Sequence, residues 1–136
     1  MSDDQEAIVS GTWQVTGVRT VAVPVTDQDK ALIFYTGTLG FSVRVDAPLP
    51  QVGGRWIEVA PEGSATTVAL IPAGDDRPAG VDTGIRFASG DAAGAHEALT
   101  AKGVTVSELM RWPGVPPMFT VSDPDGNGFV IVGDQS

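Results

Sequence analysis

The chain has no cysteine and a single histidine, His96, among its 136 residues. The first absence excludes disulfides, iron–sulfur clusters, zinc ribbons and thiol nucleophiles. The second excludes a multi-histidine metal site within one chain and leaves a Ser/His/Asp triad without a credible base. Basic residues are also scarce: 8 Lys and Arg stand against 17 Asp and Glu, for a formal charge of −9 and a pI near 4.2. That field opposes phosphate backbones and anionic membrane surfaces, so neither nucleic acid nor a membrane is expected as a partner, and a cationic or neutral small ligand is favoured. No apolar run approaches the ~20 residues of a membrane span. Met1-Ser2-Asp3-Asp4-Gln5-Glu6 lacks the basic flank and apolar stretch of a secretory leader, so the expected location is cytoplasmic. With 42% hydrophobic residues and a mean hydropathy of +0.09, residues 1–136 read as one globular domain able to bury its own core.

What is present is an internal repeat. Thr20-Val21-Ala22-Val23-Pro24-Val25 alternates like a half-buried strand, and the residues from Asp27 to Tyr35 follow with helical spacing. Ala31, Leu32, Phe34, Tyr35 and Leu39 form an apolar stripe, Thr26 or Asp27 can cap its start, and Gly40 suits a left-handed residue at its end. The second half repeats this. Gly84-Ile85-Arg86-Phe87-Ala88 precedes Asp91, an alanine-rich helix carries Ala92, Ala95, Ala98 and Leu99, and Gly103 ends it. Strands are expected at Phe41 to Val45, Arg55 to Val59 and Thr66 to Ile71 in the first half. In the second they are expected at Val104 to Val106, Met118 to Val121 and Gly128 to Val132. Each half therefore reads as βαβββ: module one spans about residues 17–72 and module two about 81–134. The connector from Pro72 to Gly80 is too rich in Pro, Gly and Asp for regular structure.

Four motifs carry a resemblance: Val21-x-Val23-x-Val25-x-Asp27, Phe34-Tyr35 leading to Leu39-Gly40-Phe41, Lys102-Gly103-Val104, and Asp123-Pro124-Asp125-Gly126-Asn127 before the last strand. With these the chain resembles, over nearly its whole length, the vicinal oxygen chelate superfamily of glyoxalases, dioxygenases and bleomycin-resistance proteins. The resemblance implies an α+β fold in which two βαβββ modules form curved mixed sheets around a cleft. It also implies a homodimer, since such modules commonly pair across a twofold axis. In the metalloenzymes of that superfamily four cleft positions hold a divalent metal. Carried across by register they fall on Thr20, Ala69, Gly84 and Val130, which offer one neutral hydroxyl between them. A divalent metal needs imidazole or carboxylate donors, so neither a metal nor another cofactor is expected. His96 cannot substitute, since it is expected on the solvent side of its helix.

Strand alternation then sorts the candidates for a ligand site. If Thr20 and Gly84 face the cleft, so do Ala22, Pro24, Arg86 and Ala88, while Val21, Val23, Ile85 and Phe87 face the helices. A guanidinium between Ile85 and Phe87 needs an answering group, either an internal acid such as Glu58 or a ligand. Trp56 shares a strand face with Glu58, and Trp112 and Met118 lie in the Pro-rich segment before the penultimate strand, offering broad apolar contact. The candidate ligand-binding set is therefore Arg86, Trp56, Glu58, Thr20, Trp112 and Met118. Two functions are consistent with it: metal-free binding or drug sequestration of a small organic ligand in a cleft between the modules, or a lyase or dioxygenase-type enzyme acting on a small organic substrate.

Overall fold

In the computed structural model, residues 12–134 are described. Their elements are β1 (Thr20–Val25), α1 (Gln28–Leu32) running on as a π-helical turn (Ile33–Thr38), β2 (Ser42–Leu49), β3 (Gly54–Ala60), β4 (Thr67–Pro72), β5 (Asp82–Ser89), α2 (Ala92–Ala101), β6 (Thr105–Val106), β7 (Met118–Ser122) and β8 (Gly128–Gly133). They build two four-stranded mixed sheets with the same order, β1-β4-β3-β2 and β5-β8-β7-β6. In each, the first strand pairs parallel with the last, and the others are antiparallel. This is an α+β fold of two βαβββ units whose sheets do not close. Of the three strand prolines, Pro24 in β1 and Pro48 in β2 lie in the two edge strands of their sheet, where a missing N–H costs least, and Pro72 is the last residue of central strand β4.

Burial alternates along β5, β7 and β8, whereas Ile57 to Ala60 of β3 and Thr67 to Ile71 of β4 are buried on both faces. Val23, Val25, Ile57, Val59, Val68 and Leu70 of the first sheet turn toward the helices and join Phe119, Val121, Phe129 and Ile131 of the second in one core with Phe34, Tyr35 and Leu99. Asp27 and Asp91 cap the helices by accepting from the N–H groups of Lys30 and Gly94, each bond contributing about 1 kcal/mol to its helix. The π-helical turn widens the end of the first helix, so that Leu39 N–H bonds to Phe34 O. Phe34 and Tyr35 are both buried there. The β3–β4 ladder has only two paired positions. Beyond them the Gln28 amide acts as an extra rung, donating to Arg55 O at 2.7 Å and Leu70 O at 2.8 Å and accepting from Arg55 N. Residue 54 must be glycine for this, because a Cβ there would stand 2.7 Å from Gln28 Oε1.

The two units are locked by the turn Asp123-Pro124-Asp125-Gly126-Asn127. Fully buried Asn127 donates through Nδ2 to Pro24 O of β1 at 2.8 Å and to Asp123 Oδ2 at 3.0 Å. Its Oδ1 accepts from Gly80 N at 2.8 Å and Val81 N at 3.0 Å, at the end of the connector. Asp123 also accepts from the hydroxyl of Tyr35 at 2.9 Å, and Asp125 accepts from Thr26. One expectation is corrected by the packing. His96 does not face solvent: it is half-buried, its Nε2 lies 2.8 Å from Ser107 O, and its ring stands edge-on to Phe119 at 5.0 Å.

Candidate functional site

On the first sheet, Thr20, Trp56, Glu58, Thr67 and Ala69 share the face turned away from the helices, since Thr20 pairs with Thr67 and Glu58 with Ala69 while the intervening valines are core. All but Ala69 form a connected polar set. Trp56 Nε1 donates to Glu58 Oε2 at 2.7 Å, Thr67 Oγ1 donates to Glu58 Oε1 at 2.8 Å, and Thr20 Oγ1 donates to Thr67 O at 3.2 Å. Glu58 is only 4% exposed. The bond from Trp56 pulls its carboxyl below the ordinary range; desolvation opposes that, and the Thr67 bond and the Arg19 charge reinforce it. Glu58 is therefore an ionised, immobilised acceptor rather than a proton donor at neutral pH.

On the second sheet, Gly84, Arg86 and Ala88 are exposed on the equivalent face, with Val130 and Thr120 alongside through the pairings Arg86–Val130 and Thr120–Val130. Arg86 does not pair with Glu58. Its single hydrogen bond goes from Nη1 to Gly84 O at 3.2 Å, and among the described residues it has no carboxylate partner. Gly84 takes a φ of +73° where β5 slips register against β8, so the Arg86 main chain departs from a regular strand there. Met118 lies on the same face, paired with Val132 and bridged to Met110. Trp112 sits 60% exposed at the corner of a turn in which Val115 N–H bonds to Trp112 O and Gly114 supplies a φ of +82°.

Two cavities of about 390 Å³ each open between the modules. One brings Arg86 of β5 together with Thr66 and Thr67 of module one. The other is apolar, walled by Phe41, Phe87, Leu99, Phe129 and Ile131, with Lys102 at its rim. Thr20, Trp56, Glu58, Trp112 and Met118 line neither. Thr67, which joins Glu58 to the Arg86 cavity, escaped sequence reading because its bond crosses strands. So did the apolar cavity, whose rings come from both modules.

A divalent metal does not fit the four register positions. The Thr20 hydroxyl is used on Thr67 O, and Ala69, Gly84 and Val130 have no donor atom.

Comparisons place this arrangement among known proteins. A model of the Glyoxalase/Bleomycin resistance protein/Dioxygenase superfamily matches residues 17–131. The protein YetH of Bacillus subtilis (strain 168) is 34% identical over 122 residues, covering 84% of this chain and 95% of its own. The crystal structure of TnmS3, an antibiotic binding protein from Streptomyces sp. CB03234, is similar with a TM-score of 0.80 and 33% identity over 89% of this chain and 98% of that one. A superfamily member from Sphaerobacter thermophilus DSM 20745 has a TM-score of 0.81 and 36% identity over 88% and 98%.

Proposed function

The chain belongs to the Glyoxalase/Bleomycin resistance protein/Dioxygenase superfamily, and from that premise we propose that it binds and sequesters a small organic molecule without a metal. The observation that carries the reading is Arg86, an exposed guanidinium with no carboxylate partner among the described residues, bordering a cavity of about 390 Å³. The planar fork of a guanidinium orients a carbonyl or carboxylate strongly, and pockets of this size are ordinary for small ligands. The similarity to antibiotic-binding TnmS3 supports sequestration over turnover. So does Glu58, ionised and held by two hydrogen bonds, a poor general acid. In this reading Arg86 is the polar anchor, and Thr20, Trp56, Glu58, Trp112 and Met118 form the flanks of a cleft that a second copy completes.

The test is a thermal-shift screen of the protein and of its Arg86→Met variant against a small-molecule library that includes antibiotics, with Zn, Ni, Mn and Fe salts alongside. Compounds that bind the native state raise Tm by mass action, and the reading expects the shifts of such hits to shrink in the variant while the metals do nothing. Hits that persist unchanged in Arg86→Met remove the anchor; one tightly held transition metal per chain removes the metal-free reading. Light scattering at micromolar concentration checks the dimer, and a strictly monomeric mass overturns the shared cleft.

A further inference from the structure

The two cavities have common banks. Pro61 and Glu62, in the loop between β3 and β4, border both from module one, and Phe87 and Ala88 of β5 border both from module two. The shared residues make the cavities neighbours around the free edge of β5, where Arg86 and Phe87 point to opposite faces of the sheet, and their walls differ in character. The Arg86 end is lined by hydroxyl-bearing Ser64, Thr66 and Thr67. The other end is lined by three rings in edge-to-face contact, Phe41 against Phe87 at 5.2 Å and Phe87 against Phe129 at 5.1 Å. It stays open because α2 presents the small side chains of Ala95 and Ala98 to it.

The module-one bank is built, not slack. Pro61 to Ser64 form a turn closed by Ser64 N–H to Pro61 O at 3.0 Å, with Gly63 at a φ of +81°. Arg44 of β2 clamps that turn from outside, donating from Nη1 to Ser64 O at 2.9 Å and from Nη2 to Pro61 O at 3.0 Å.

We infer that the two cavities together take an amphipathic organic anion, its carboxylate on Arg86 and its ring system among Phe41, Phe87 and Phe129. This deepens the ligand-binding reading above and rests on it. The rings supply the flat apolar contact that favours an aromatic or fused-ring body, and an unpaired guanidinium is the receptor for an oxyanion. The net charge of −9 does not forbid this. At physiological ionic strength, charges beyond about 8 Å are largely screened, so the local guanidinium decides. Glu62 on the shared bank is exposed and lies between the two ends, which sets the carboxylate at the Arg86 end rather than midway.

The probe is 2-naphthoate, with neutral 2-naphthamide as its head-group control, titrated calorimetrically into the full chain, into Arg86→Met and into Ala98→Trp. Ala98 is exposed on α2, so a large side chain there fills the apolar end without entering the core. Saturable naphthoate binding is expected, weakened about tenfold in Arg86→Met, the size of one lost charge-assisted bond. Ala98→Trp should weaken both probes, and naphthamide, whose neutral carbonyl is the weaker acceptor, should lose less than naphthoate in Arg86→Met. Nuclear Overhauser contacts from the naphthyl protons to Phe41, Phe87 and Leu99 are the readout that does not depend on any variant. If Arg86→Met weakens naphthoate but Ala98→Trp does not, and the contacts lie elsewhere, the amphipathic site is overturned while the Arg86 anchor survives. If neither substitution matters, or no saturable binding occurs up to millimolar concentration, the inference falls, and the library screen then decides the broader reading separately.

Discussion

Replacing Asn127 should come close to unfolding the protein, and the two substitutions that differ most in chemistry should differ in pH dependence. The side chain is 0% exposed and uses all four of its amide positions, on Pro24 O, Asp123, Gly80 N and Val81 N. A net contribution of about 1 kcal/mol per neutral bond, and somewhat more for the bond to the Asp123 carboxylate, puts Asn127→Ala at a loss of about 4 kcal/mol. That is a large part of the roughly 5–15 kcal/mol that holds a typical domain, and for a chain of this length it lowers Tm on the order of 10 °C. Asn127→Asp keeps both acceptor bonds, loses the donors to Pro24 O and Asp123, and adds a second carboxylate beside Asp123. Repulsion from Asp123 disfavours the charged form of the introduced carboxyl and raises its pKa in the folded state, so the folded variant holds more protons than its unfolded chain. Its deficit is therefore full at neutral pH and shrinks as pH falls through the raised pKa. Urea titrations followed by tryptophan fluorescence at several pH values measure both. A loss below about 1 kcal/mol for Asn127→Ala would mean that the module lock is made elsewhere. A pH-independent deficit in Asn127→Asp would mean that the two carboxylates do not meet.

Tyr35 is the only tyrosine, and burial, with the charge and hydrogen bond of Asp123 next, pushes its hydroxyl pKa far above the usual value. Its ultraviolet titration should show no phenolate in the folded protein at pH 11. The unfolded chain ionises near 10, so stability should fall as pH rises past that point; early phenolate absorbance in the folded state refutes the buried pair. Trp56→Phe removes the largest cause of the lowered Glu58 pKa. The Glu58 carboxyl should then titrate higher by NMR, and the stability it contributes, present above the unfolded value and lost as pH falls through the folded one, should shrink; an unmoved titration would assign the shift to Thr67 instead. Arg44→Met should speed amide exchange at Ser64 and weaken 2-naphthoate, with little change in Tm because the side chain is exposed; unchanged exchange would mean the turn holds itself.

Much of the fold was legible because local chemistry and burial agree. Asp27 and Asp91 cap, Gly40 and Gly103 take φ of +80° and +79° at the helix ends, and alternating valines turn inward. Where the reading stopped short, long-range geometry had intervened. Phe34 and Leu39 are five apart, the spacing a π-helical turn brings together, but Ala31 and Tyr35 fit an α-helix equally well. Gly84 reads in the sequence as an ordinary strand position, whereas its positive φ breaks β5 within the stretch from Asp82 to Arg86 where the register against β8 slips. His96 was readable in hindsight, being four residues after buried Ala92 and three before buried Leu99, on the inner face of α2.

The site was legible only one strand at a time. Trp56 and Glu58 meet because they are two apart on β3, whereas Thr67 reaches Glu58 across a ladder and Phe41 reaches Phe87 across the module seam. The repeat sharpens what the strand pattern left open. The position in module one that corresponds to Arg86 is Ala22, each lying two residues past the first register position and five before the capping aspartate. The position in module two that corresponds to Glu58 is Thr120, each pairing with the register residue of the last strand, Ala69 or Val130. Each sheet thus carries one charged side chain where its twin carries a small or neutral one. The two differ in what meets them: Glu58 is buried and already engaged by Trp56 and Thr67, so its charge serves the fold, whereas Arg86 is exposed with no carboxylate partner among the described residues and is free to meet a ligand.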